Sequence, residues 1–169
     1  SLGQFLGAPL IGEYADRHGR KRALLLSVFF TCLGFALSAW SMEKNLLIPL
    51  FIGRLMTGLF AGNMAICLAC ITDLNEEEKT RVKHFGYLSL LTGISFVVGA
   101  FLGGQLSDPS ISSYFTPSFP LQIAAGMSLL NLLFVFFFFR ETSPADPDKK
   151  FDFFESFHNI KIALRTEKI

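Results

Sequence analysis

Charged side chains fall in clusters along the chain, and four long apolar runs separate the clusters: residues 23–42, 46–71, 85–106 and 119–139. A helix needs about 20 predominantly apolar residues to cross a bilayer, and each run meets that length. A soluble helix with one wet face would carry charge on nearly every turn. Across the four runs the single formal charge is Arg54. Four such runs exceed what one small soluble domain could cover. The pattern therefore predicts an all-α fold, a polytopic transmembrane helix bundle. Residues 1–11 are apolar but too short to span, and no basic segment precedes them as in a signal peptide. They read as the end of a further span that begins outside the chain.

The net charge of +1 gives no reason to expect a nucleic-acid partner, but the placement of the charges is informative. Arg17, Arg20, Lys21 and Arg22 precede the first complete run, and Lys44 follows it alone. Lys79, Arg81 and Lys83 precede the third run, residues 108–118 hold no cation, and Arg140, Lys149, Lys150, Lys161, Arg165 and Lys168 follow the fourth. The cation-rich segments alternate with cation-poor ones without a break. By the positive-inside rule the rich segments are cytoplasmic, so residues 17–22, 73–83 and 140–169 are expected on that side of the cell membrane. Cys32, Cys67 and Cys70 lie inside runs. Cys67 and Cys70 form one C-x-x-C with no second pair or nearby His, which is too few ligands for zinc. They read as small apolar filler, and no metal is expected.

Two segments resemble each other. Gly7-Ala8-Pro9-Leu10-Ile11-Gly12-Glu13-Tyr14-Ala15-Asp16 and Gly99-Ala100-Phe101-Leu102-Gly103-Gly104-Gln105-Leu106-Ser107-Asp108 share five of ten positions. The charge rule places them three helices apart and in opposite directions, as an inverted three-plus-three repeat would. Convergence on small residues at helix contacts would give a similar likeness.

The first basic segment reads Gly12-Glu13-Tyr14-Ala15-Asp16-Arg17-His18-Gly19-Arg20-Lys21-Arg22-Ala23-Leu24. It predicts a tight turn between helices, with Gly19 free to take a positive φ and Asp16 able to pair with a neighbouring cation or face a helix N-terminus. The string resembles the signature between the second and third helices of the major facilitator superfamily, G-x-L-a-D-r-x-G-r-k-x-x-l. Gly12, Asp16, Arg17, Gly19, Arg20, Lys21 and Leu24 match, while Tyr14 replaces the usual Leu. The resemblance implies that the four complete runs are the family's third to sixth helices. Residues 1–139 would then be part of the amino-terminal six-helix half of a twelve-helix transporter. Residues 140–169 would be a cytoplasmic linker carrying an amphipathic helix on Phe153, Phe154, Phe157, Ile160 and Leu164.

Arg54-Leu55-Met56-Thr57-Gly58-Leu59-Phe60-Ala61-Gly62 is similar to the family's R-x-x-q-G-x-g-a-a motif, with Thr57 for Gln. An arginine in a bilayer is costly. It faces a water-filled cavity or an acid, or it snorkels to the outer surface. The resemblance implies a role for Arg54 in proton coupling. Asp73, followed by the mixed charges of residues 75–81, looks like the drug:proton antiporter branch, and the likeness implies that Asp73 pairs with the basic segment as a charge latch. Ser95-Phe96-Val97-Val98-Gly99-Ala100-Phe101-Leu102-Gly103-Gly104 resembles that branch's g-x-x-x-G-P-x-x-G-G. Gly99, Gly103 and Gly104 match and would allow close helix packing, while Ala100 replaces the proline and removes a kink site.

Together these residues resemble tetracycline-type and multidrug efflux carriers. The function implied is a secondary transporter, not an enzyme and without a cofactor, that exchanges protons for small organic solutes by alternating access. A symporter or facilitator of the same fold, or a receptor or scaffold without transport, are the other readings. An intramembrane charge beside an intact loop motif speaks against the scaffold. No G-x-x-x-x-G-K-[ST] sequence suggests an ATP-driven pump. The expected partners are protons, a small-molecule substrate, the lipid bilayer and the remaining helices of the same carrier.

Overall fold

The computed structural model describes residues 2–75, 77–112 and 114–142. The expected amphipathic helix in the linker lies outside them. Six helices follow in order: α1 Leu2–His18, α2 Arg20–Glu43, α3 Leu47–Leu59, α4 Asn63–Leu74, α5 Glu78–Leu106 and α6 Phe119–Phe138. Four stretches are long and apolar enough to cross a membrane: α2, α3 with α4 taken together, α5 and α6.

The basic segment after residue 11 is not a loop. α1 runs on to His18, α2 begins at Arg20, and Gly19 alone turns the chain, at φ 95° and ψ 152°. That region of backbone space is open essentially to glycine alone. At the other end of α2, Asn45 ends the helix at φ 54°, and Leu46 N–H bonds the Ser41 carbonyl at 2.9 Å. This left-handed helix ending is one that Asn tolerates well.

The run 46–71, read from sequence as one continuous span, is interrupted. Its helical ladder stops at Phe60, whose N–H reaches Met56 O at 3.0 Å, and resumes at Ile66, whose N–H reaches Gly62 O at 3.4 Å. Phe60, Ala61 and Gly62 form the turn between. Packing holds both pieces. Gly62 sits against Ile11 of α1, and Gly7 lies so close to the Leu59 carbonyl that an added Cβ would fall 1.7 Å from it.

α2 and α3 also approach each other closely. A Cβ on Gly34 would stand 2.8 Å from Gly53 O, and one on Gly53 would stand 2.8 Å from Gly34 O and 2.5 Å from Ser38 Oγ. Lipid offers helices no hydrophobic drive to associate, so close packing of small residues carries the contact. The hydroxyls on that face are satisfied within the helix: Ser38 Oγ donates to Gly34 O at 2.7 Å and Ser41 Oγ to Leu37 O at 2.6 Å. Buried Ser27 instead also reaches across to the Asn63 side chain at the start of α4. The buried apolar cluster, with Ile11, Ala15, Ala23, Leu24, Ile66 and Cys70 among its members, lies beside the turn at Gly19. α6 packs along α2 and buries Leu121 and Val135. α5 buries none of its residues.

Candidate functional site

The end of the bundle where α1 turns into α2 gathers charge from four separate parts of the chain. Arg20 is the centre. Its guanidinium donates to Asp16 Oδ1 at 2.6 Å, one helical turn back across Gly19, and to Asp73 Oδ2 at 3.2 Å, in the last turn of α4. These are the two ion pairs among the described residues. The turn makes the geometry possible. Because Gly19 is a single-residue corner, Asp16 and Arg20 keep helical i, i+4 proximity while belonging to different helices. The side chains are partly exposed, at 14% for Arg20, 31% for Asp16 and 25% for Asp73, so each pair contributes about 1 kcal/mol or less.

Glu141, three residues past the end of α6, completes the cluster and was not singled out from sequence. Its carboxylate accepts the Arg20 N–H at 2.7 Å and the Lys21 N–H at 3.2 Å. Those are two of the amides that a helix start leaves unpaired, and an anion there also meets the positive end of the helix dipole. α2 has no capping side chain of its own. Lys21 returns the interaction, donating from Nζ to the Phe136 carbonyl near the end of α6 at 3.0 Å. Thr142 Oγ1 lies 3.5 Å from Cys70 Sγ. The sequence signal that could have found Glu141 is an acid just past one span, on the same side as the N-terminus of another.

The other residues of the basic motif take lesser parts. Arg17 makes no ion pair among the described residues. Nothing lies within 4 Å of a Cβ placed on Gly12. Tyr14 stacks on His18, with ring centroids 4.3 Å apart. At the opposite end of the bundle, Gln122 donates to Glu43, so the loops 44–46 and 107–118 share one side and Arg20, Asp73 and Glu141 share the other. That is the alternation the cation pattern predicts.

Arg54 stands apart. It is exposed on α3, one residue from the buried contact at Gly53, and it has no ion-pair partner among the described residues. Its surroundings are apolar and equally exposed: Phe51 is 74% and Leu55 56% accessible. It lies about 10 Å along the axis from the start of α3, in a stretch long and apolar enough to cross a membrane. The structure does not bring it to the Arg20 cluster.

The glycines of α5 meet no other helix among the described residues. A Cβ on Gly99, Gly103 or Gly104 would meet nothing within 4 Å, and α5 passes through Ala100 as continuous helix. Asp108, which aligns with Asp16 in the two similar segments, accepts the Ser110 N–H at 2.8 Å. Hydrogen bonds from Ser110 hold its carboxyl below the usual carboxylate range. No group of three His, Cys, Asp or Glu side chains among the described residues is placed to hold a metal.

Comparison with known proteins agrees with this architecture. Residues 1–167 match the family model described as Major Facilitator Superfamily. The class H tetracycline resistance protein of Pasteurella multocida is 34% identical over 139 residues, which is 82% of this chain and 32% of that protein. The class B tetracycline resistance protein of Escherichia coli is 34% identical over 142 residues, 84% of this chain and 33% of that protein. The crystal structure of the human organic anion transporter MFSD10 superimposes with a TM-score of 0.72 at 27% identity, covering 92% of this chain and 34% of that one. The chain thus spans about a third of the length of these relatives.

Proposed function

Because the chain belongs to the major facilitator superfamily, a family of multi-pass membrane transporters, we propose that it forms part of the amino-terminal half of a proton-coupled efflux carrier for small organic solutes. The carrier sits in the cell membrane, in a bacterium the inner membrane. Residues 17–22, 73–83 and 140–169 are on its cytoplasmic side. Protons and a small organic solute are its partners, and the remaining helices of the carrier complete the cavity.

The observation that carries this reading is the double ion pair of Arg20 with Asp16 and Asp73. It ties α1, α2 and α4 together at one end of the bundle, while at the other end the described residues show no ion pair, only the hydrogen bond from Gln122 to Glu43 between α6 and α2. A transporter that alternates access needs a closure at one membrane face that can form and release. Pairs of about 1 kcal/mol each suit that task, since they bias a two-state equilibrium severalfold without freezing it. Gly19 shapes and Arg17 charges the same corner, and Gly12 lies about two turns back on α1.

Arg54 supplies the coupling. A guanidinium stays protonated, so it does not carry the proton itself. Its positive field lowers the pKa of a facing acid, and proton and solute then compete. Arg54→Ala, made in the carrier containing this chain, should insert normally and lose solute flux driven by an imposed pH gradient in proteoliposomes. Arg54→Lys should keep part of that flux, because the charge remains while the planar fork is lost. Full gradient-driven flux in Arg54→Ala, with counterflow unchanged, would overturn the coupling role and leave a snorkelling arginine.

One observation favours a second reading. α5 carries Ala100 and runs unbroken from Glu78 to Leu106, without the proline kink of the antiporter signature. A facilitator or symporter of the same fold fits that helix. Such a carrier would show solute flux unaffected by the pH gradient, or flux running in the same direction as the protons.

A further inference from the structure

On the flank of the bundle, α2 and α6 leave a groove between them. It encloses about 530 Å³ and is lined by Leu25, Leu26, Phe29, Phe30, Leu132, Leu133 and Phe136. The lining is wholly apolar. A solute site normally offers a few placed polar groups to fix orientation, and this groove offers none, so it does not suit a polar cargo. It fits a flexible hydrocarbon. Leu25 to Phe30 covers about 8 Å of helix axis, room for several methylenes of an acyl chain.

One end of the groove is marked by cations. Lys21 Nζ is held 3.0 Å from the carbonyl of Phe136, itself a lining residue. Arg22 is exposed and precedes Leu25, Leu26 and Phe29 at spacings of three, four and seven, so it lies on the same face of α2. Arg140, also exposed, follows the end of α6 by two residues. The three acids that touch Arg20 and Lys21 are already engaged, while Glu13, Glu77 and Glu78 at the same end lie on α1 and at the start of α5. Asp16 and Asp73 hold Arg20, and Glu141 is turned onto the backbone amides of Arg20 and Lys21. A positive excess therefore sits over the end of an apolar slot, at the side of the bundle where the cation-rich segments meet the bilayer surface.

We propose that this groove is a binding site for one anionic phospholipid, its acyl chain lying between α2 and α6 and its phosphate held by Lys21, Arg22 and Arg140. Arginine suits the role because its planar fork binds phosphate oxygens two at a time. The inference rests on the chain spanning a bilayer, and it holds whether or not the carrier moves protons. It also links the lipid to the Arg20 cluster, because Lys21 is both a headgroup ligand and the residue whose amide Glu141 caps.

The test is to purify the carrier containing this chain, strip its lipid, and add phosphatidylglycerol or phosphatidylcholine in equal amounts. Native mass spectrometry then counts the lipids retained. Wild type should retain phosphatidylglycerol in preference. Arg22→Gln with Arg140→Gln should cut that preference by about fivefold per arginine, with phosphatidylcholine unchanged. Leu133→Trp should fill the groove and lower retention of both lipids. Equal retention of the two lipids by wild type, or a preference that survives the double substitution, would overturn the site. A cysteine at Phe29 adds a readout independent of the charge variants. It should react with a lipid-soluble maleimide in stripped carrier and be protected by phosphatidylglycerol. If it stays unreactive in stripped carrier, another protein segment covers the groove and the proposal fails.

Discussion

Arg20 Nε and Asp73 Oδ2 lie 3.2 Å apart although 53 residues separate them. The bond spans α2, α3 and α4 and closes the chain on itself at the turn. The same guanidinium is already bound to Asp16, so one cation is shared by two acids on two other helices, and removing any one of the three leaves the other two in an altered field.

The first prediction concerns that sharing. In the carrier containing this chain, Asp73→Asn should leave insertion and yield unchanged while shifting the conformational equilibrium severalfold, in keeping with about 1 kcal/mol for a partly exposed pair. The measurement is the labelling rate of cysteines lining the cytoplasmic side of the cavity, which should rise. An unchanged rate would sink the latch.

Gly19 is held in place twice over. Its φ of 95° disfavours any side chain, and an added Cβ would stand 2.5 Å from Glu141 Oε2. Gly19→Ala should therefore cost about 1–3 kcal/mol from backbone strain alone, together with displacement of the cap. Adding Glu141→Ala should relieve the clash but not the strain. Thermal unfolding in detergent would show Gly19→Ala well below wild type and the double variant no better than partly recovered. Full recovery would mean that the backbone conformation is unimportant.

At the α2–α3 contact, Gly53→Ala should destabilise by about 1–3 kcal/mol, as overpacking generally does, because Ser38 Oγ and the Gly34 carbonyl occupy the space of the new methyl. The same change at Gly103 meets open space and should be much milder in these helices alone. A carrier in which Gly103→Ala is as damaging as Gly53→Ala would show that a further helix seats on α5 at that point.

Topology can be tested from both sides. A cysteine at Ser112, in the loop after α5, should be labelled by an impermeant maleimide in intact cells, whereas one at Thr80, in the first turns of α5, should need permeabilisation. Labelling of both from one side would contradict the alternation of the charged segments.

The spans were readable because apolar runs and cation clusters alternate, and neither signal depends on tertiary contacts. The Asp16, Arg20 and Asp73 grouping was readable only through the family likeness, since nothing in the spacing of residues 16 and 73 brings them together. The interruption at Phe60–Gly62 was not readable. Those residues are as apolar or small as their neighbours, and the break sits where Leu59 just before it meets Gly7 and Gly62 meets Ile11, both on α1. Glu141 was missed for a related reason. Its role depends on α6 returning beside the start of α2, and a lone acid after an apolar run does not reveal that. The α5 glycines show the converse, for a motif can be plain in the sequence while the described residues give it no contact.

The broken span has a mechanical consequence. Arg54 rides on α3 and Asp73 on α4, and the two pieces are not one stiff rod. A torque applied near Arg54 would be lost at the turn if it had only the helix axis to travel along. α3 is instead geared to α2 through Gly34 and Gly53, and α2 to α4 through Ser27, Asn63 and the Arg20–Asp73 bond. Movement at one membrane face would reach the other sideways through the neighbouring helix, and the stiffness of α2 sets how faithfully it arrives.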